Sequence, residues 1–499
     1  MPSPAPHPSN LPLLSSKHIV ISGAGIAGLS FALSLHKQWA RILESEDSAA
    51  AAPPPPRITI FERDDKHDRE GREGYSVRLR CDGDNGGGGG VGVLHELGLY
   101  DVVKGAAVLV DGEDVGVGSM VLWDKNWRLL IRADGSRTAA TGDKKKGARK
   151  LRDMTIRRNA LQKCLVDAVE GLPGVEIMWG STVVGVERVA AHRQATTVIT
   201  DERPNENHRH NTPSSTMTVT VTVASSNTNR HSSTPAPTST SQKLPCDILI
   251  AADGSTSKLR QHLRPSDPLT YAGVTILSGT AKFPSPDKIP NPPGRNWGSV
   301  IPFTGTSLYT SPVTPTSTVW MLSYRSPTPR DVPSKPYSAD VIDDLLTEAR
   351  QRGAWAGRTF EVLVDHTDGG TVNCFNAFHR APFTHDLERD GAVIYIGNAN
   401  HAVTPFAGNG AGMALMDGWD LATGLLGGEP GLAEGVRAFE RVMMPRAGRA
   451  LRDSKFGIEV VHARGWRGWV LRRGWVGVWL CEKVVAFPGG VEMTRVLYE

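Results

Sequence analysis

The sequence predicts an α/β fold: a parallel sheet with covering helices, an inserted β-rich region, and a helical C-terminal region. Three observations carry this. The β-branched run His18-Ile19-Val20-Ile21-Ser22 leads into glycines at 23, 25 and 28 and then a breaker-free helical stretch, Leu29 to Gln38. A strand, a glycine turn and a helix follow one another again in Leu244 to Leu263 and in Gly391 to Leu421. Between those two, residues 266–384 set many Pro, Thr and Ser among short apolar runs such as SVIPF and TVWMLSY, as β-rich domains do.

The first unit is β-α-β, closed by the strand Arg57 to Glu62 (RITIFE). In Gly23-Ala24-Gly25-Ile26-Ala27-Gly28, Gly23 permits the tight turn, Gly25 lets a pyrophosphate approach the backbone, and Gly28 lets helix pack on strand. The helix N-terminus then offers free N–H groups and a positive dipole end to phosphates. Glu62 ends the second strand, where an acid hydrogen-bonds a ribose. It lies 34 residues beyond Gly28, against the usual ~20. The insertion SEDSAAAAPPPP, bulging between helix and strand, accounts for the excess.

In the second unit Ile248 to Ala252 is an apolar run fit for a buried parallel strand. Asp253-Gly254 ends it in a turn, and a helix begins near Ser257. In the third, AVIYI runs into Gly397-Asn398, a loop with Pro405, then Gly408-Asn409-Gly410 and a helix whose N-terminus is again a site for an anion or a carbonyl. Within 266–384, Val341 to Arg352 reads as one helix. Beyond 435 the chain is helical and then Trp-rich.

Four stretches read as solvated insertions: the Ala/Pro segment, the glycine run Gly86 to Gly90, the basic Asp143 to Lys150, and 201–243. The last cannot bury enough apolar area to order itself, except for the alternating strand Thr216 to Val223.

The 499 residues are 39 % hydrophobic and 22 % charged, ordinary for a soluble globular chain. The net charge of +4 is too mild and too evenly mixed for nucleic-acid binding. Cysteines stand at 81, 164, 246, 374 and 481, an odd number, widely spaced, without a C-x-x-C. That pattern argues against a disulfide framework and a zinc site, fits a reducing compartment, and places the protein in the cytoplasm. The N-terminus reads as a Pro/Ser tail rather than a signal peptide. There is no run of 18 apolar residues to span a membrane. The segment Trp466 to Phe487, with four tryptophans beside Arg472 and Arg473, reads as an apolar face packed on the body, with peripheral membrane contact as the alternative.

The three motifs, in this order, resemble the FAD-dependent group A flavoprotein monooxygenases of aromatic-hydroxylase type. Those share an N-terminal G-x-G-x-x-G, a central D-G at a strand end, and a C-terminal G-D-x-x-H-x-x-x-P-x-x-G-x-G. The resemblance runs from about Lys17 to about Gly457. The segment GNANHAVTPFAGNG is similar to the branch containing tetracycline-inactivating monooxygenases and fungal secondary-metabolite hydroxylases. The resemblance implies a Rossmann-type, glutathione-reductase-like FAD-binding domain in three parts, 15–110, 151–265 and 385–440. An excursion at 111–150 leads toward an inserted substrate domain at 266–384, and a helical tail fills 441–499.

It also implies a cofactor site. Gly23, Gly25, Ile26, Ala27 and Gly28 take the FAD pyrophosphate, and Glu62, with Arg63 beside it, takes the adenosine ribose. Arg78 and Arg158 reach the cofactor from outside, the latter in the R-x-x-L step Arg158 to Leu161. Asp253 and Gly254 touch FAD at the turn that helps the NADPH encounter, and Asn398 meets the ribityl chain. Pro405, Gly408, Gly410 and Ala411 line the isoalloxazine. Two positions depart from the family pattern. Asn398 stands for the acid of G-D and keeps an acceptor without the charge. Gly412 stands for an Asn and omits a side-chain hydrogen bond near the flavin.

The implied reaction uses NADPH or NADH, FAD and O₂ to hydroxylate or epoxidise a small aromatic or polyketide- or terpenoid-like molecule through a flavin hydroperoxide. It needs neither a metal nor a side-chain nucleophile, and no catalytic residue or substrate base is assigned. An FAD-linked oxidase or dehydrogenase, a flavin-dependent halogenase and a non-catalytic FAD-binding relic stay open beside it. The halogenase reading draws on Trp297, Ile301 and Pro302 but lacks a second Trp. His401 reads as architectural. Asp417 and Asp420, three apart on the last helix of the third unit, read as a cap or solvated face. Arg128, Tyr271, Trp297 and Tyr324 are not assigned to the substrate site, because aromatics of β-rich domains are mostly core.

Overall fold

The computed structural model describes residues 11–45, 53–66, 75–81, 89–110, 119–133, 138–139, 151–188, 217–223, 240–427 and 431–464. The basic loop Asp143 to Lys150, the Trp-rich segment Trp466 to Phe487 and Cys481 lie outside them. Cys81, Cys164, Cys246 and Cys374 are buried free thiols. No helix among the described residues is long and apolar enough to cross a membrane.

Five strands form a parallel sheet in the order Val175–Met178, Arg57–Phe61, His18–Ser22, Ile248–Ala251, Val393–Tyr395. Side-chain alternation divides its residues between two cores. Ile19, Ile21 and Ile60 join a core with the helices Ile26–Ser45, Arg158–Glu170 and Gly410–Leu426. Val20, Phe61 and Leu249 face the other way, with Val183, Val186 and Leu259. Val183 and Val186 belong to an antiparallel sheet of Ser181–Arg188, Met217–Val223 and Thr240–Cys246. The continuous apolar reading of these parallel strands follows from this burial on both faces.

A second sheet has seven strands, in the order Asn373–His379, Thr270–Lys282, Ser317–Arg325, Thr306–Thr314, Trp297–Val300, Met120–Trp123, Leu129–Ala133. Leu308, Trp320 and Leu322 pack on one side against Leu345, Phe360 and Leu363 of the helices Ala339–Gly353 and Gly357–Asp365. The other side meets the C-terminal end of the helix Leu432–Val461. There Ile458 joins Val274, Ile276 and Ala377, and Val460 joins Leu122 and Ile301.

Three expectations are corrected. Gly89 and Gly90 do not belong to a loop; they open the helix Gly89–Glu96. Glycine costs about 1 kcal/mol against alanine in a helix, but this helix crosses Gly410–Leu426 so closely that a Cβ on Gly90 would stand 2.7 Å from Gly412 Cα. Residues 240–243, expected within a loop, belong to the strand Thr240–Cys246, because ladder bonds to Met217–Val223 need only the backbone. Residue 440, where the third part of the cofactor unit is expected to end, lies within the helix Leu432–Val461. The helix Gly357–Asp365 was not expected at all. It opens on Gly357, at φ +63°, and is held by Phe360 and Leu363 in the core.

Candidate functional site

The three motif turns meet at one place, the C-terminal edge of the parallel sheet, where open α/β sheets bind ligands. Gly23 N–H donates to the Phe61 carbonyl at 2.8 Å, tying the first turn to the second strand. Gly23 has φ +105°, and a Cβ there would stand 2.7 Å from the Ala252 carbonyl oxygen. A Cβ on Gly28 would run into the Gly23 carbonyl. Gly25 differs: its nearest neighbour would be 3.8 Å away, so space is left above the backbone.

Glu62 ends the second strand with its carboxylate turned to the loop. Oε2 accepts from Ala24 N–H at 2.8 Å and Oε1 from Asp64 N–H at 3.1 Å. Arg63 is exposed, 3.4 Å from Asp64. Arg158 is the first residue of Arg158–Glu170, and its N–H donates to the Tyr75 carbonyl. One turn on, Gln162 Nε2 donates to the Ala24 carbonyl. Residues four apart share a helix face, so Gln162 was within reach of sequence reasoning and was missed.

Asp253 Oδ2 accepts from Lys258 N–H at 2.9 Å, and Gly254 turns the chain at φ +81°. Asp253 Oδ1 is buried with no hydrogen-bond partner in the protein. Burial pushes this carboxyl above the usual range, although Ser257 and the helix N–H groups pull it down. Arg260 of the helix Lys258–Leu263 reaches the Ser255 and Ala399 carbonyls and so ties the second motif to the third. It too escaped the sequence reading.

Asn398 stands exposed in the turn Gly397–Ala399. Behind that turn lies a buried ionic group. Asp417, 0 % exposed, accepts from Gly397 N–H at 2.8 Å, His401 Nε2 at 2.6 Å and Arg446 Nη2 at 2.9 Å. Arg446 also donates to Asp420 at 2.7 Å. Desolvation works to raise the Asp417 carboxyl, but His401 and Arg446 outweigh it and hold it at about 2. Burial raises Asp420 against the pull of Arg446. Neither aspartate caps the helix or forms a solvated face, which corrects the sequence reading. Helical spacing put both on one face, but the face is covered by Leu432–Val461. His401 is 1 % exposed, with Nε2 on Asp417 and Nδ1 buried without a hydrogen-bond partner.

Pro405 opens a short turn ended by Gly408 at φ +61°, and Gly410 begins the following helix with Ala411 beside it. Gly408 and Gly410 are exposed. Thr404 is hydrogen-bonded to Ser454, and the Phe406 ring stands edge-on to His462, 5.4 Å between centroids. His462 Nε2 meets Ser323 Oγ at 2.9 Å on the second sheet. Gly412 lies against Gly90, and a Cβ on it would stand 2.7 Å from Asn409 Oδ1, so a larger side chain there requires Asn409 to shift. Arg78 reaches Thr155 and Asp153 at 3.4 Å and covers the Trp297 ring. Tyr324 faces the helix-side core, and Arg128 is exposed. Tyr271 packs on Phe378.

Two features test the fit to a dinucleotide. The glycine cradle admits nothing larger at Gly23 or Gly28 yet is open at Gly25, and Asp253 Oδ1 is a buried acceptor awaiting a donor. The residues present fit the group.

No protein-family model matches the chain. The monooxygenase cfoF of Aspergillus candidus is 31 % identical over 449 residues, covering 90 % of this chain and 92 % of that protein. Among solved structures, Klebsiella pneumoniae HpxO complexed with FAD and uric acid superposes at a TM-score of 0.60, with 18 % identity over 95 % of this chain and 98 % of that one. The tetracycline destructase Tet(55) superposes at 0.57, with 15 % identity over 94 % and 96 %. The convergence of the three motif turns and the full-length likeness to cfoF lead to one conclusion: the chain belongs to the FAD-dependent flavoprotein monooxygenases of group A.

Proposed function

We infer that FAD lies across the C-terminal edge of the parallel sheet, and that the protein uses it with NADPH or NADH and O₂ to monooxygenate a small organic molecule of specialised metabolism in the cytoplasm. The observation that carries this is the meeting of Gly23–Gly28, Glu62, Asp253-Gly254 and Asn398–Gly410 around one opening. In this reading 15–110, 151–265 and 385–440 make the cofactor unit, and 266–384 with the excursion 111–150 makes the substrate unit.

The first helix N-terminus and Gly25 bind the pyrophosphate, and Glu62, prealigned by Ala24 N–H, takes ribose hydroxyls. Arg63, Arg78 and Arg158 bring positive charge to the outer side. Asp253 Oδ1 accepts from a cofactor hydroxyl, and Asn398 meets the ribityl chain. Pro405, Gly408, Gly410 and Ala411 present backbone and the helix dipole to the ring. When bound, FAD supplies hydride acceptance from NAD(P)H and, once reduced, activation of O₂ for transfer of one oxygen atom. Phe406, Ile458 and Met321 supply an apolar wall that keeps water from the reacting end.

The test is the visible spectrum of the purified protein before and after anaerobic NADPH, followed by ¹⁸O₂ turnover against a substrate panel. Bound flavin that bleaches, and one labelled oxygen atom in product, are expected. Flavin reoxidation without label in product would make the protein an oxidase instead. Chlorinated product under halide would make it a halogenase.

A further inference from the structure

The helix Leu432–Val461 has two unlike faces. Inward, Arg446, Ser454 and Ile458 hold the Asn398–Phe406 segment and the second sheet. Outward, the exposed residues of its second half are Arg441, Pro445, Arg449, Arg452, Lys455 and Glu459. Steps of three and four residues set these in one stripe along the helix. Four of them are cations, spread over about 21 Å at ~1.5 Å per residue.

Elsewhere the surface cations stand beside acids, as Arg41 does with Glu96 at 3.0 Å, Lys163 with Asp167 at 2.8 Å and Arg350 with Asp365 at 3.2 Å. The stripe differs. Among the described residues, Arg441, Arg452 and Lys455 make no ion pair. The acids of the helix are engaged away from them: Glu434 with Arg437, Glu440 with His385, and Glu459 with Arg325. Asp453 is half-buried at the edge of the stripe, one acid beside four cations. Like charges on successive turns repel, and nothing on this face offsets the cost, so the stripe is suited to a counter-charge from outside the chain.

A second feature says what carries that charge. Arg464, just past the helix, is exposed and bridged through its backbone to Thr304. The sequence then brings Trp466, Trp469, Trp475 and Trp479 among Arg467, Arg472 and Arg473. Indole rings favour the headgroup level of a bilayer, and cations favour anionic headgroups. Stable peripheral binding takes two such signals together.

We propose that the outer face of Leu432–Val461, through Arg441, Arg449, Arg452 and Lys455, docks on an anionic lipid surface, with the Trp-rich sequence beyond Arg464 supplying the apolar part of the contact. The inner face of the same helix touches the flavin turn: a Cβ on Gly457 would stand 3.1 Å from the Phe406 carbonyl oxygen, and Ile458 packs with Phe406 and Met321. The lipid then lies one helix diameter, about 10 Å, from the apolar wall. This suits a lipophilic substrate that partitions into the bilayer, a consequence that rests on the cofactor reading; the docking itself does not.

The test is sedimentation of the full-length protein with vesicles of phosphatidylcholine alone and of phosphatidylcholine with one-third phosphatidylserine. The anionic vesicles are expected to bind at least ten times more tightly, and high salt should erase the difference. The triple variant Arg441→Gln/Arg452→Gln/Lys455→Gln should lose at least fivefold on anionic vesicles at an unchanged melting temperature, and Arg452→Glu alone at least threefold. Removing three paired cations elsewhere, in Lys66→Gln/Lys163→Gln/Arg358→Gln, should change binding less than twofold. Equal binding to both vesicles, no binding, an unaffected triple variant, or equal loss in the two triple variants would overturn the docking face. Tighter capture by a mixed-sequence RNA than by the vesicles would overturn it too, as a nucleic-acid surface. Wild-type protein without a flavin band, yet bound to anionic vesicles, would remove the cofactor reading and leave the docking face in place.

Discussion

Gly25 and Gly28 belong to one motif for different reasons, and substitution separates them. Gly28→Ala drives a Cβ into the Gly23 carbonyl; overpacking of this kind destabilises by about 2 kcal/mol. Gly25→Ala meets nothing nearer than 3.8 Å. Its melting temperature should stay near wild type while FAD affinity falls more than tenfold, measured by flavin fluorescence. His462 carries a pH signature. Burial lowers it to about 4, opposed by the Ile458 carbonyl. Between about pH 6.5 and 4 the unfolded chain takes up a proton that the folded protein refuses, so stability falls on acidification by up to about 3 kcal/mol. Urea melts at pH 7 and pH 5 should show the loss, and His462→Gln should flatten it. At this scale the sequence exposed residues that sit in the turn at the end of a sheet strand: the glycines, Glu62 and Asp253. It hid Arg260 and the buried ionic partners of Asp417, which come from distant segments that no spacing rule connects, whereas Gln162, one turn from Arg158, was within reach and was missed.

Among elements, the helix Gly410–Leu426 is the most constrained. A Cβ on Gly418 would stand 2.5 Å from Phe31 N, and Ser30 Oγ donates to the Leu415 carbonyl at 2.8 Å. Its far side is fixed by Arg446. Removing one partner of a buried ionic group costs about 3–5 kcal/mol, so Arg446→Met should lower the melting temperature sharply and loosen the Asn398 turn. Pairing it with Asp417→Asn should restore part of the loss, because one of the two carboxyl groups left without Arg446 is then neutral. Strands and helices with strong periodicity were legible: His18–Ser22, Arg57–Phe61 and Ala339–Gly353 stand where the pattern put them. The helix Gly89–Glu96 was not legible, because it is held by tertiary packing, of Val91, Val93 and Leu94 in the core and of Gly90 on Gly412, and not by helix propensity.

At the scale of the whole molecule, the helix Leu432–Val461 joins the Asn398–Gly408 segment, through Arg446 and Ser454, to the second sheet, through Ile458 and His462. Ligand binding at that junction should therefore stabilise both units together. FAD at a hundred times its dissociation constant adds about 2.7 kcal/mol, and one cooperative transition shifted upward by several degrees is the expected calorimetric result. The three-part organisation was readable because each motif carries its own strand and turn. The tie between the units was not, because it is made of side chains unremarkable in sequence.

The sheet order has a consequence for synthesis. Its central strand, His18–Ser22, is among the first made, while Val393–Tyr395 is made last of the five and lies beside Ile248–Ala251. A nascent chain therefore carries an open apolar sheet edge while about 370 residues leave the ribosome, including the whole seven-stranded layer. Loading with flavin is a late event in the life of the polypeptide, and the inserted layer must fold while its host is still unfinished.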